Sequence, residues 1–144
     1  MVSFSKYDFH HLGYACFDIK AEVKNFSFLG YEMEGNIFRD EVQGVKGCFL
    51  EGPGPRIELL ENLPESETLS PWIENRPSIY HLAYYVNDIY DALSWAKENR
   101  FMLLNPPKPS IAFGGRLICF CMMRNKLMLE FIERDTSIKR RVRG

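Results

Sequence analysis

The 144-residue sequence lacks long apolar runs. Nothing in it approaches the roughly 18 consecutive apolar residues of a membrane span, so no transmembrane segment is expected. Its first residues, Met1-Val2-Ser3-Phe4-Ser5-Lys6, lack the basic-then-apolar order of a signal peptide, and a cytoplasmic protein is expected. Net charge is nearly absent, at -1, which excludes general electrostatic binding of nucleic acid. Cysteine is sparse, and Cys16, Cys48, Cys119 and Cys121 form no C-x-x-C pair. All four sit in apolar stretches. Buried thiols in a reducing compartment fit this better than disulfides or a zinc ribbon. The one dense charge run, Lys139-Arg140-Arg141-Val142-Arg143, is an anion contact or, more simply, a solvated tail.

What remains is an ordinary globular composition, 46% apolar and 26% charged, of a length suited to one domain or two small halves sharing a core. Within it a short phrase occurs twice. His11-Leu12-Gly13-Tyr14-Ala15 precedes Asp18-Ile19, and His81-Leu82-Ala83-Tyr84-Tyr85 precedes Asp88-Ile89. Each is answered downstream by an acidic strand: Ile57-Glu58-Leu59-Leu60-Glu61 and Leu129-Glu130-Phe131-Ile132-Glu133. His11 to Glu58 spans 47 positions and His81 to Glu130 spans 49. Self-similarity of this length indicates a duplicated supersecondary unit.

The first half reads as strand (Phe9 to Phe17), helix through Leu29 closed by Gly30, then strands at Tyr31 to Arg39, Val45 to Glu51 and Arg56 to Glu61. Gly52-Pro53-Gly54-Pro55 is a hairpin loop. The polar connection holds Ser70-Pro71-Trp72-Ile73-Glu74, where Ser70 predicts an N-cap and Trp72 an anchor. The second half repeats the order: a strand at Ile79 to Val86, a helix at Asp88 to Asn99, and strands at Phe101 to Leu104, Arg116 to Met123 and Leu127 to Glu133. Asn105 to Ser110 is expected to be a Pro-rich loop. Module one is therefore about 7–62, the linker about 63–78, module two about 79–134 and the basic tail 135–144. The expected fold is α+β: two βαβββ modules making a curved, mainly antiparallel sheet cup with helices outside.

Alternation along the first strand separates His10 from His11, and the repeat selects His11 because His81 is its counterpart. Two imidazoles and two carboxylates at equivalent places suggest one shared site. That donor set suits divalent Co, Mn, Ni, Zn or Fe better than a thiol-preferring ion. Alone, a strand histidine is a packed residue and a strand-end glutamate is solvated. Here the pattern repeats, and Glu58 and Glu130 stand amid apolar neighbours where an unpaired carboxylate is costly. A metal held by His11, Glu58, His81 and Glu130 would stabilise negative charge on a chelated oxygen. A glutamate beside it would serve as general base.

These residues resemble the vicinal oxygen chelate superfamily, whose paired βαβββ modules form a metal cup, from about Phe9 to Glu133. Within it the motifs are most similar to methylmalonyl-CoA epimerase: His11-Leu12-Gly13-Tyr14-Ala15, Arg56-Ile57-Glu58-Leu59-Leu60, Ser70-Pro71-Trp72-Ile73 leading to Ile79-Tyr80-His81, and Leu129-Glu130-Phe131-Ile132-Glu133. The resemblance implies the ligands His11, Glu58, His81 and Glu130, with Glu130 doubling as acid/base group, and it implies a homodimer. Two departures stand out. Gly47 occupies the place of the epimerase's second glutamate base, and Arg124-Asn125-Lys126 replaces the Asp-Pro-Asp-Gly turn of many glyoxalase-type sequences. Arg116 is a candidate for meeting a substrate carboxylate or phosphate. The expected function is a metal-dependent isomerase or lyase stabilising an enolate, on a CoA thioester or related dicarbonyl. The alternatives are a glyoxalase I-type enzyme and a non-catalytic drug or metabolite binder. Iron-dependent ring cleavage is disfavoured by the fourth ligand.

Overall fold

A computed structural model of the chain describes residues 7–74 and 76–134. The basic run at 139–143 lies outside them. Among the described residues, nine strands, three α-helices and one 3-10 turn follow in the order β1 (Asp8–Cys16), α1 (Ile19–Ser27), β2 (Glu32–Asp40), β3 (Val45–Glu51), β4 (Ile57–Asn62), α2 (Ser70–Ile73), β5 (Ser78–Val86), α3 (Ile89–Glu98), β6 (Met102–Leu103), β7 (Lys108–Pro109), the 3-10 turn Ile111–Phe113, β8 (Leu117–Met122) and β9 (Met128–Glu133). This is an α+β architecture, as the sequence indicates. The described residues divide into two compact units, one within His11–Tyr80 and a second made of residues 7–10 together with 81–134.

In the first unit the strand order is β2-β3-β4-β1. β2 to β3 and β3 to β4 are antiparallel, whereas β1 runs parallel to β4, with Gly13 opposite Glu58. The parallel step follows from connectivity, since α1 and the β2-β3 hairpin separate β1 from β4. α1 starts at Asp18, whose carboxylate accepts from the Lys20 N–H at 3.0 Å and so satisfies one of the helix's open donors. Cys16, Ile19, Tyr31, Cys48, Leu50, Ile57 and Leu59 form the core of this unit. Tyr14 packs edge-on against Phe26.

The second unit repeats the plan as β5-β9-β8-β6, with β5 parallel to β9, Ala83 opposite Glu130, and β7 also pairing β8. Asp88 caps α3 through the N–H groups of Tyr90 and Asp91. The core holds Val86, Ile89, Ala92, Ala96, Cys119, Cys121, Leu129 and Phe131. Tyr7, Trp95 and Phe131 meet edge-to-face over it.

Three local expectations change. Phe101 does not open a strand, because its N–H donates to the Ala96 carbonyl and closes α3. β6 is thereby reduced to Met102–Leu103. The Pro-rich segment contains a strand, Lys108–Pro109, where Pro109 removes one ladder donor and keeps the pairing short. Finally, Ser70 is the first residue of α2 rather than its cap. Leu69 holds the cap position, and the Ser70 hydroxyl accepts from Asn62 at 3.4 Å. Trp72 anchors this turn on Tyr80, ring centroids 5.2 Å apart.

Candidate metal centre

Each unit builds one buried imidazole–carboxylate pair from its parallel strand pair. In the first, His11 Nε2 lies 3.1 Å from Glu58 Oε1; in the second, His81 Nε2 lies 3.2 Å from Glu130 Oε1. Both histidines are 0% exposed, and the glutamates are 4% and 2% exposed. The local cause is the same twice. The residue opposite the glutamate across the ladder is Gly13 in one unit and Ala83 in the other. Neither carries more than a methyl group, so the carboxylate can lean over it toward the histidine two positions earlier.

An aromatic ring completes each pair. Phe49 faces Glu58 in the β3–β4 register and packs edge-on to His11 at 5.3 Å. Phe120 faces Glu130 in the β8–β9 register and packs edge-on to His81 at 5.5 Å. These rings hold the imidazole planes and exclude water, which strengthens electrostatic contacts beside them. Nothing in the sequence patterns singled out Phe49 and Phe120. Their equivalence appears only once the registers of β3 and β8 are known.

The terminal glutamates of the two acidic strands have a different task. Glu61 accepts from the Ile19 N–H, and Glu133 from the Ile89 N–H, each at 2.9 Å. Both therefore close a helix N-terminus on the helix-facing side of their strands, with the helix dipole favouring their negative charge. Glu61 also meets Lys46 Nζ at 3.1 Å.

Arg116 stands just before β8, after Gly114 and Gly115 at φ +62 and +85, a left-handed turn that glycine accepts without strain. Its backbone bridges Phe113 and Ser110. Strand alternation places it on the face of Ile118 and Phe120, and its guanidinium has no ion-pair partner among the described residues. His10 packs against Tyr85 at 4.8 Å and Phe113 at 5.5 Å. Tyr84 joins the core side of its unit, packing on Phe9.

The four cysteines are free and buried. Burial pushes the Cys16 thiol up to about 12, Cys48 to about 11 and Cys121 to about 12, and it raises Cys119 as well. They are inert core thiols.

Each unit thus holds one buried imidazole and one buried carboxylate, donors of the kind that a divalent metal ion takes. A buried carboxylate needs a positive charge beside it, and a divalent cation or a proton on the neighbouring imidazole would each supply one.

The sequence profile of the Glyoxalase/Bleomycin resistance protein/Dioxygenase superfamily matches residues 10–120. An ethylmalonyl-CoA/methylmalonyl-CoA epimerase of Cereibacter sphaeroides is 30% identical over 114 residues, covering 77% of this chain and 84% of that protein. Among solved structures, the hypothetical protein BH1468 from Bacillus halodurans C-125 is 29% identical with a TM-score of 0.76, covering 90% of this chain and 95% of its own. Methylmalonyl-CoA epimerase from Mycobacterium tuberculosis is 21% identical with a TM-score of 0.78, covering 97% of both chains; at that identity the likeness is one of fold. The chain belongs to the glyoxalase/bleomycin resistance protein/dioxygenase superfamily.

Proposed function

We propose that the chain is a divalent-metal-dependent isomerase or lyase that stabilises an enolate, in the manner of a methylmalonyl-CoA epimerase, on a CoA thioester or a related 1,3-dicarbonyl. The observation that carries this reading is the repeated buried pair, His11 with Glu58 and His81 with Glu130, at 3.1 and 3.2 Å. A packing role would not require a buried His–Glu pair in duplicate. On this reading the four side chains ligate one ion of Co, Mn, Ni, Zn or Fe. The bound ion supplies Lewis acidity that lowers the cost of forming an enolate.

The protein's own groups do the rest. Glu130 takes the proton from the carbon next to the carbonyl and returns it. Phe49 and Phe120 keep the surroundings dry. Arg116 meets the substrate's carboxylate as a charge-assisted hydrogen-bond donor. The choice of a CoA thioester is supported by the name of the Cereibacter relative. A cytoplasmic setting is supported by the four free thiols. A homodimer is supported by the exposed Met102 and Leu103 on the short strand β6.

The test is α-proton exchange in D2O across a panel of malonyl-type thioesters with metal-loaded protein. Metal-dependent exchange is expected, falling roughly 10²- to 10⁴-fold in Glu130→Gln. No exchange on any thioester, with turnover of methylglyoxal and glutathione instead, would replace this reading with a glyoxalase I-type activity. Binding without either chemistry would leave a metabolite-binding protein.

A further inference from the structure

In the second unit, alternation along β8 puts Arg116, Ile118 and Phe120 on one face. Phe120 pairs with Glu130, and Ile118 pairs with Ile132 on β9 and with Lys108 on β7. Directly paired residues share a face. Lys108 therefore lies on the face of the His81–Glu130 pair, one strand out from Ile118. The β8–β9 register, continued by one further pair, sets Arg134 beside Arg116. Lys108, Arg116 and Arg134 thus gather at one end of this face. Arg116 stands four residues from Phe120, about 13 Å along the strand.

The three cations are held differently. Arg134 is fixed: its Nε donates to Asn87 Oδ1 at 2.8 Å, its Nη2 meets Asp8 Oδ2, and its guanidinium lies 5.6 Å from the centre of the Tyr85 ring. Asp8 balances that charge. Arg116 is half-buried and Lys108 is exposed, and neither has an ion-pair partner among the described residues. The ground beside Arg116 is open, since a Cβ on Gly114 or Gly115 would meet nothing within 4 Å among the described residues. Two unbalanced positive charges beside an anchored arginine attract anions. A guanidinium fork and a mobile ammonium together suit a phosphate.

We infer that Lys108, Arg116 and Arg134 form an anion rim that takes a phosphate group of the substrate's thiol carrier. The inference rests on the thioester reading above and deepens it, by naming the residues that recognise the carrier. A ligand that reaches both Glu130 and the rim must span about 13 Å of strand. A thioester on an extended phosphorylated arm has that reach, and a small free dicarboxylic acid does not. Arg116 stands between the other two cations. Its five donors let one edge serve the substrate's carboxylate and the other the phosphate.

The experiment is calorimetry on the metal-loaded full chain with malonyl-CoA and with malonyl-pantetheine, which carries the same acyl group and no phosphate. Malonyl-CoA is expected to bind roughly ten- to a hundredfold more tightly, the yield of hydrogen bonds to a charged group. Added salt should narrow that preference. Lys108→Gln should cut it roughly two- to tenfold, with metal content unchanged. Arg134→Gln should cut it as well, and Arg134→Lys, which keeps the charge, should retain part of it. Adenosine 3′,5′-bisphosphate, which has phosphates and no acyl group, should compete with malonyl-CoA and not with malonyl-pantetheine. Equal binding of the two thioesters, or a preference left intact by both Lys108→Gln and Arg134→Gln, would overturn the rim. Binding is read without turnover, so a preserved preference with no metal-dependent proton exchange would remove the enolate reading and leave the rim standing. Binding of neither thioester would overturn both.

Discussion

Gly13 and Ala83 face the two site glutamates across their ladders, so the pair geometry depends on small neighbours as much as on the ligands. Ala83→Leu would place a branched side chain where Glu130 leans toward His81. Metal content by mass spectrometry is expected to fall at least roughly tenfold in this variant, comparable to losing a group that orients a ligand. Retention of full metal content would show that the carboxylate reaches His81 by another path. The same scale holds the pH dependence. Cys16, Cys48 and Cys121 have folded-state pKa values raised to about 12, 11 and 12 by burial. The folded chain keeps these protons, whereas the unfolded chain releases them near the ordinary thiol value. Stability is therefore full below about pH 8.5 and falls as pH rises above it, by roughly 1 kcal/mol per thiol one unit above the ordinary value. Chemical denaturation at pH 8 and 10 reads this directly, and no loss between the two would contradict it. The residues of the two buried His–Glu pairs were legible in sequence because they repeat. Phe49 and Phe120 were not, because the residue that faces a glutamate across a hairpin is set by register, which spacing within one strand does not give.

At the scale of elements, each acidic strand splits its two glutamates between two tasks. Glu58 and Glu130 turn to the histidines, while Glu61 and Glu133 hold the first N–H groups of α1 and α3. Residues three apart on a strand point to opposite faces, so this division follows from the i, i+3 spacing. Glu133 is 5% exposed, whereas the Glu61 side chain is 18% exposed and shared with Lys46. Glu133→Ala is accordingly expected to lower stability by about 1–3 kcal/mol in urea denaturation, and Glu61→Ala by less. An equal effect of both would mean that burial does not set the value of the helix contact. Asp88, expected as the first residue of its helix, stands instead at the cap position before Ile89. The two short strands β6 and β7 were less legible. Proline-rich, two-residue strands carry too few residues for alternation to register, and their pairing depends on β8.

Over the whole molecule the order strand, helix, strand, strand, strand was visible twice in sequence, because the apolar period and the turn residues change together at each boundary. The parallel pairings of β1 with β4 and β5 with β9 were not visible, since periodicity reports which face a residue takes and not which strand lies beside it. Those pairings bring each histidine to its glutamate from far along the chain. The proposed function requires that both pairs serve one ion. Metal content of the purified full chain, by mass spectrometry after loading with Co, Mn, Ni or Zn and beside His81→Ala and Glu130→Ala, tests that requirement most directly. One ion per chain in the wild type, lost from both variants while they remain folded, is the predicted result. A folded wild-type protein that binds no ion under any loading would contradict it.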